Sequence, residues 1–206
     1  MHQVKKIRRF FMIMRLVSLC IISSTDLFGG TASQDEALFF ERNFLELTSY
    51  SDLQPTDILP NEDVLYHRAF RLKGADFEIR IRYEPMKKAL EAYAKSLEPN
   101  SGTVMAPPNN MFQMTFMVCL MNILQTENEP RITAFPSRAV KEEFNADAGL
   151  TSFGKGKSQF LGKYSAVLAY GIHKQDIGDV YVYYLFNDVK KGAALYRKYF
   201  YPVKFK

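Results

Sequence analysis

Apolar and polar positions alternate most regularly between residues 65 and 84. Phe77, Ile79, Ile81 and Tyr83 fall on one side of an extended chain, and Glu78, Arg80, Arg82 and Glu84 on the other. Leu65 to Leu72 precedes this run, with Lys73-Gly74-Ala75-Asp76 as the turn. The pattern predicts a hairpin with one apolar and one wet face. A second pair, Tyr164 to Ile172 and Val180 to Phe186, is apolar or aromatic on both sides. Strands of that kind belong in the middle of a sheet.

Helical spacing governs other segments. Asp35 to Tyr50 carries a stripe of Phe39, Phe40, Phe44 and Leu47, with Ser33 and Glu36 in capping-box positions. Pro85 opens a helix that runs to about Leu97, since proline suits a first helical turn. Met111 to Leu124 fits a strand or a helix; its length and Asn110 favour a helix buried on most sides. Short elements complete the chain: a strand over Arg131 to Phe135, a helix over Ser137 to Asn145, and a helix over Asp188 to Tyr199 with a tail from Phe200 to Lys206. Residues 51–63, with Pro55 and Pro60, read as a connector, 100–110 as a loop, and 146–160 as a Gly, Ser and Lys loop. Hairpins interleaved with helices predict an α+β, two-layer sandwich, a mainly antiparallel sheet with helices packed on one face.

The first 33 residues change the picture of location. Lys5, Lys6, Arg8, Arg9 and Arg15 precede an apolar run, Leu16 to Ile22, and a polar stretch with small residues ends at Ala32 and Ser33. That order is the layout of a secretory signal peptide. It predicts an exported protein, periplasmic or secreted, with a leader over 1–33 and one globular domain over 34–206. A retained anchor is the first alternative, although Arg15 interrupts the roughly 20 apolar residues a span needs. A lipoprotein acylated at Cys20 is the second, with Leu19 standing where a small residue is wanted.

The net charge of +5 is mostly a property of the leader, which carries five bases and one acid, Asp26. Residues 34–206 are close to neutral, and so give no electrostatic reason to expect nucleic acid. The charge is uneven, however. Residues 34–154 hold twelve bases and eighteen acids, and 155–206 hold ten bases and three acids. The basic C-terminal quarter fits an anionic surface or an acidic partner, with membrane contact at most peripheral; the plainer reading is pairing with the acidic remainder of the domain. Cys119 is the one cysteine beyond the leader, so no internal disulfide forms and the domain rests on an ordinary core. Its apolar setting reads as that of a buried small hydrophobe.

Candidate chemistry is sparse. Gly154-Lys155-Gly156-Lys157-Ser158 lacks the earlier glycine of a phosphate loop, because position 151 is Thr. A basic loop touching an anion through Lys155 and Lys157 is the better functional reading. Arg80 and Arg82, with Arg71 across the hairpin, place guanidiniums on the wet face and make a second candidate anion site. His67 and His173 read as surface residues, the first beside Arg82 and the second at a strand end, and neither has a metal-ligand spacing. Asp176 and Asp179 read as turn residues. Met105, Met111, Met114, Met117 and Met121 lie among Phe, Val, Leu and Ile and read as core rather than soft-metal ligands. No catalytic residue, metal or cofactor is expected. The sequence predicts a non-enzymatic exported domain that binds a ligand or protein partner. The alternatives are a hydrolase with a dispersed site and a peripheral envelope protein held by its basic C-terminal region.

Overall fold

The computed structural model describes residues 38–48, 50–124, 130–156 and 158–206. The expected leader over 1–33, Cys20, the expected Ser33–Glu36 cap and Lys157 lie outside the described residues.

Among the described residues, nine strands form two antiparallel sheets: β1 (Leu45–Leu47), β2 (Leu53–Pro55), β3 (Arg68–Leu72), β4 (Phe77–Pro85), β5 (Ile132–Ala134), β6 (Ala148–Lys155), β7 (Ala166–Lys174), β8 (Gly178–Phe186) and β9 (Val203–Phe205). The large sheet has the order β2-β3-β4-β8-β7-β6-β5, and β1 pairs with β9. Among the described residues, α-helices accompany them at α1 (Lys87–Ser96), α2 (Phe112–Leu124), α3 (Ser137–Phe144) and α4 (Val189–Lys198), besides the helical turn at 38–42. The architecture is the expected α+β sandwich on an antiparallel sheet. Strand β8 is central and every residue of it is buried, as its two apolar sides require.

Helices and loops pack on both sheet faces, where the sequence suggested one. On one, α2 and the 160–164 loop meet Val167, Ala169, Tyr181, Tyr183 and Leu185. On the other, α3, α4 and β1–β9 meet Phe77, Ile79, Ile81, Tyr170, Val182 and Tyr184. Each fully buried large side chain contributes about 1.5–3 kcal/mol relative to exposure. Helix α4 begins at Asp188, whose Oδ1 accepts the amides of Lys190 and Lys191 at 2.9 and 3.1 Å. It lies so close to the sheet that a Cβ at Gly192 would overlap the Phe186 ring.

Three sequence expectations are corrected. Residues 148–155 are a strand rather than a loop, paired to β5 on one side and β7 on the other. Its glycines hid it: a Cβ at Gly149 would stand 2.8 Å from Phe135, and one at Gly154 2.6 Å from Leu124. The helix expected to reach Tyr50 ends after Arg42, where Phe44 takes a φ of 57° and the chain turns into β1. The wet face expected for β4 is covered: Glu78 and Arg80 are each 1% exposed, beneath the layer that contains α2.

Candidate functional site

Strand alternation sends Glu78, Arg80, Arg82 and Glu84 into that layer, and the register sets Tyr183 opposite Arg80 and Tyr181 opposite Arg82. Burying charge requires partners. Arg80 Nε donates to Glu78 Oε1 at 2.7 Å, and Arg71 Nη2 to Glu78 Oε2 at 2.9 Å. Arg80 Nη1 donates to the Phe160 carbonyl, and its guanidinium lies 4.8 Å from the Tyr66 ring and 5.0 Å from Phe160. Asp63 Oδ2 accepts the Phe160 amide at 2.9 Å, which fixes the loop that closes over Arg80. Arg80 is therefore an internal strut, with acceptors for Nε and Nη1 and both ring contacts supplied by the protein.

Farther along β4, Arg82 donates to Glu84 and, through Nη1, to Cys119 Sγ at 3.3 Å. Burial pushes the Cys119 thiol up, while neighbouring Arg82 pulls it the other way. Tyr183 lies beside the sulfur, and burial raises its phenol as well. Cys119 is buried as expected, but its neighbours are polar on one side.

Beyond Arg82, the sheet lines up Glu84, Asp179 and His173 across β4, β8 and β7. His173 Nδ1 lies 2.7 Å from Asp179 Oδ1, and the Tyr181 hydroxyl donates to Asp179 Oδ2 at 3.0 Å. Burial raises the Asp179 carboxyl. The His173 ring stacks on Phe112 at 5.4 Å. His173 and Asp179 are both buried, so neither is the surface or turn residue that strand-end position suggests. His67 is half-buried: its Nδ1 accepts the Tyr83 amide at 3.2 Å and its ring stacks on Phe39.

Among the described residues, the candidate anion ligands of β4 and of the basic loop are not brought together. Arg80 and Arg82 are covered on the α2 side, whereas Lys155 is exposed at the end of β6 with Phe153, on the opposite face of the sheet. Several cations of the C-terminal quarter instead meet acids of the earlier chain. Lys163 pairs with Asp76 at 2.6 Å, Lys198 with Asp52 at 2.6 Å, and Lys204 with Glu46 at 3.3 Å. Lys198 and the Tyr199 hydroxyl hold the Asp52 carboxyl below its usual range.

The feature that sequence reasoning misplaced is the methionine stripe. Helix α2 has no charged residue, and its inner side seats Phe112, Phe116, Cys119, Leu120, Ile123 and Leu124. The methionines are on the outer side: Met114 is 52% exposed, and Met117, Val118 and Met121 are half-buried. Met105 is also exposed. A helix this apolar and free of charge is normally enclosed; here one side is left open. The loop before β3 borders it, tied down by Asn122 Nδ2 donating to the Asp63 carbonyl at 3.0 Å, and it exposes Ile58, Leu59 and Leu65. The signal was present in the sequence as an uncharged helix of methionines at helical spacing, which core packing alone does not require.

An open hollow of about 700 Å³ lies at the far edge of the sheet, lined in part by Gln54, Thr56, Arg71, Lys73 and Asp76. Among the described residues, no group of three or more His, Cys, Asp or Glu is placed to hold a metal ion, and no helix is long and apolar enough to cross a membrane. No family model, curated protein or solved structure matches the chain.

Proposed function

We propose that this protein is an exported, non-enzymatic domain that binds a protein partner through the outer side of α2. The observation that carries the reading is Met114, Met117, Val118 and Met121 on an uncharged, surface-lying helix. Contiguous exposed apolar surface marks interaction sites, and flexible methionines suit a surface that must adapt to what it binds. The charged side chains that chemistry would need, Glu78, Arg80 and Asp179, are instead consumed by partners in the interior. Export is supported by the order of basic, apolar and small residues in 1–33.

A photo-crosslinker at position 114 in the native host should trap one defined species, and one at the exposed Lys95 of α1 should not. Met117→Glu with Met121→Glu, on the same side of the helix, should abolish the product formed from position 114 and leave the protein folded. A product formed equally from both positions, or unaffected by the double change, overturns the reading; a crosslinked dimer identifies the partner as a second copy.

One observation favours a hydrolase as the second reading. Asp179 orients His173 Nδ1 at 2.7 Å, the arrangement that prepares an imidazole for general-base work. Turnover on ester, peptide or glycoside panels that disappears in a folded His173→Asn variant would replace binding with catalysis.

A further inference from the structure

The opposite sheet face carries a different kind of patch. Thr151 and Phe153 lie on one side of β6, with Lys155 the next residue on that side. Phe153 is 46% exposed, and its ring lies parallel to Phe186 at 6.4 Å. Phe186 is in turn the residue on which Gly192 of α4 sits. Tyr196, one turn on from Gly192, meets the Tyr184 ring at 4.9 Å, so the helix runs back along β8 from Phe186, and its first turn lies at the end of the sheet where Ala166 pairs with both Phe186 and Lys155. That turn presents Val189, 38% exposed, and Lys190 and Lys191, both exposed. Strand β5 stops short of this point: Ile132 pairs with Ser152, and the Ser152 hydroxyl donates to the Arg131 carbonyl at 2.9 Å. Exposed Arg131 therefore flanks Phe153 from the other side.

Arg131, Lys155, Lys190 and Lys191 thus surround two exposed apolar side chains. Among the described residues none of these four forms an ion pair, unlike Lys163, Lys198 and Lys204. The nearest acid on α4, Asp188, is already used to cap the helix. An acidic protein would satisfy the cations but not the exposed Phe153. An anionic bilayer surface satisfies both, with phosphates for the lysines and the headgroup–acyl boundary for the ring.

We infer that this face is a peripheral docking site for an anionic lipid surface, with Phe153 and Val189 entering the interface and Arg131, Lys155, Lys190 and Lys191 contacting headgroups. The site is independent of the α2 surface, which lies across the sheet, and it would leave the methionines facing away from the lipid.

The absence of tryptophan from the chain makes a clean test. Phe153→Trp introduces a single reporter, and Leu97→Trp, at an exposed position of the chain just after α1, is the control. With phosphatidylglycerol vesicles at low salt, the emission at position 153 should shift to the blue and be quenched by brominated acyl chains, and position 97 should show neither change. Phosphatidylcholine vesicles should leave both unchanged. Lys190→Glu with Lys191→Glu should weaken the partitioning roughly twentyfold or more, since each cation near an anionic surface contributes about a fivefold factor. Reporting from position 153 separates this site from any contact made by the basic residues of 1–33. No shift on anionic vesicles, a shift that survives the double charge reversal, or a shift produced by polyglutamate and not by vesicles overturns the inference. Loss of the Met114 crosslink bears only on the α2 surface.

Discussion

Arg82 Nη1 donates to the sulfur of Cys119 at 3.3 Å, so the one cysteine beyond residue 33 is the acceptor for a largely buried guanidinium as well as a core residue. The two roles separate by substitution. Cys119→Ser keeps an acceptor and should cost about 1 kcal/mol, whereas Cys119→Val fills the space but removes the acceptor and should cost about 1–3 kcal/mol. Urea unfolding of both variants measures the difference; a valine variant as stable as the parent would make the sulfur a space-filler only. Burial also raises the thiol, so alkylation should be slow in the folded protein and fast in denaturant.

The Glu78–Arg80 pair makes a second contrast. Arg80→Met strands a buried carboxylate and should cost about 3–5 kcal/mol. The outer partner, Arg71, is 46% exposed and bonds the same carboxylate at 2.9 Å, and Arg71→Ala should cost less than about 1 kcal/mol. Glu78→Gln with Arg80→Met should recover part of the Arg80→Met loss, because it removes the stranded charge. Denaturant midpoints for the three variants check the order; equal losses would mean the pair is not sealed from water.

These charges show where sequence reading stops. Period-two alternation locates β4 correctly, because it depends only on the strand itself. It assigns the charged side to water because nothing in Phe77 to Tyr83 records that α2 and Phe160 cover it. Strand β8 is legible as central for the opposite reason, since both its sides are apolar. Strand β6 is not, because the close approach of Phe135, Val140 and Leu124 demands glycines that read as a loop. The stripe Met114, Met117, Met121 is visible, but which side of an uncharged helix meets the sheet is decided by packing. In sequence, Lys155 stands out for its neighbour Lys157; its companions in space are Phe153 and the start of α4, which only the fold supplies.

His67 gives the domain a predicted acid limb in its stability. The Tyr83 amide donates to Nδ1 at 3.2 Å, which fixes the neutral ring with its proton on Nε2. Burial lowers its pKa below the ordinary 6.5, and the positive charges of Arg82 and Arg68 act in the same direction while Glu84 opposes them. Protonation in the folded state would add a third positive charge and destroy the acceptor for Tyr83. Because the unfolded chain binds this proton more readily, stability is complete above about pH 6.5 and falls as the pH drops through and below that value. Urea midpoints at about pH 7.5 and about pH 5.5 should therefore decline for the parent protein. His67→Gln, which retains an acceptor but has no proton to gain, should start less stable and decline less. A parent protein that gains stability over this interval, or a variant that declines as steeply, would place the titrating group elsewhere.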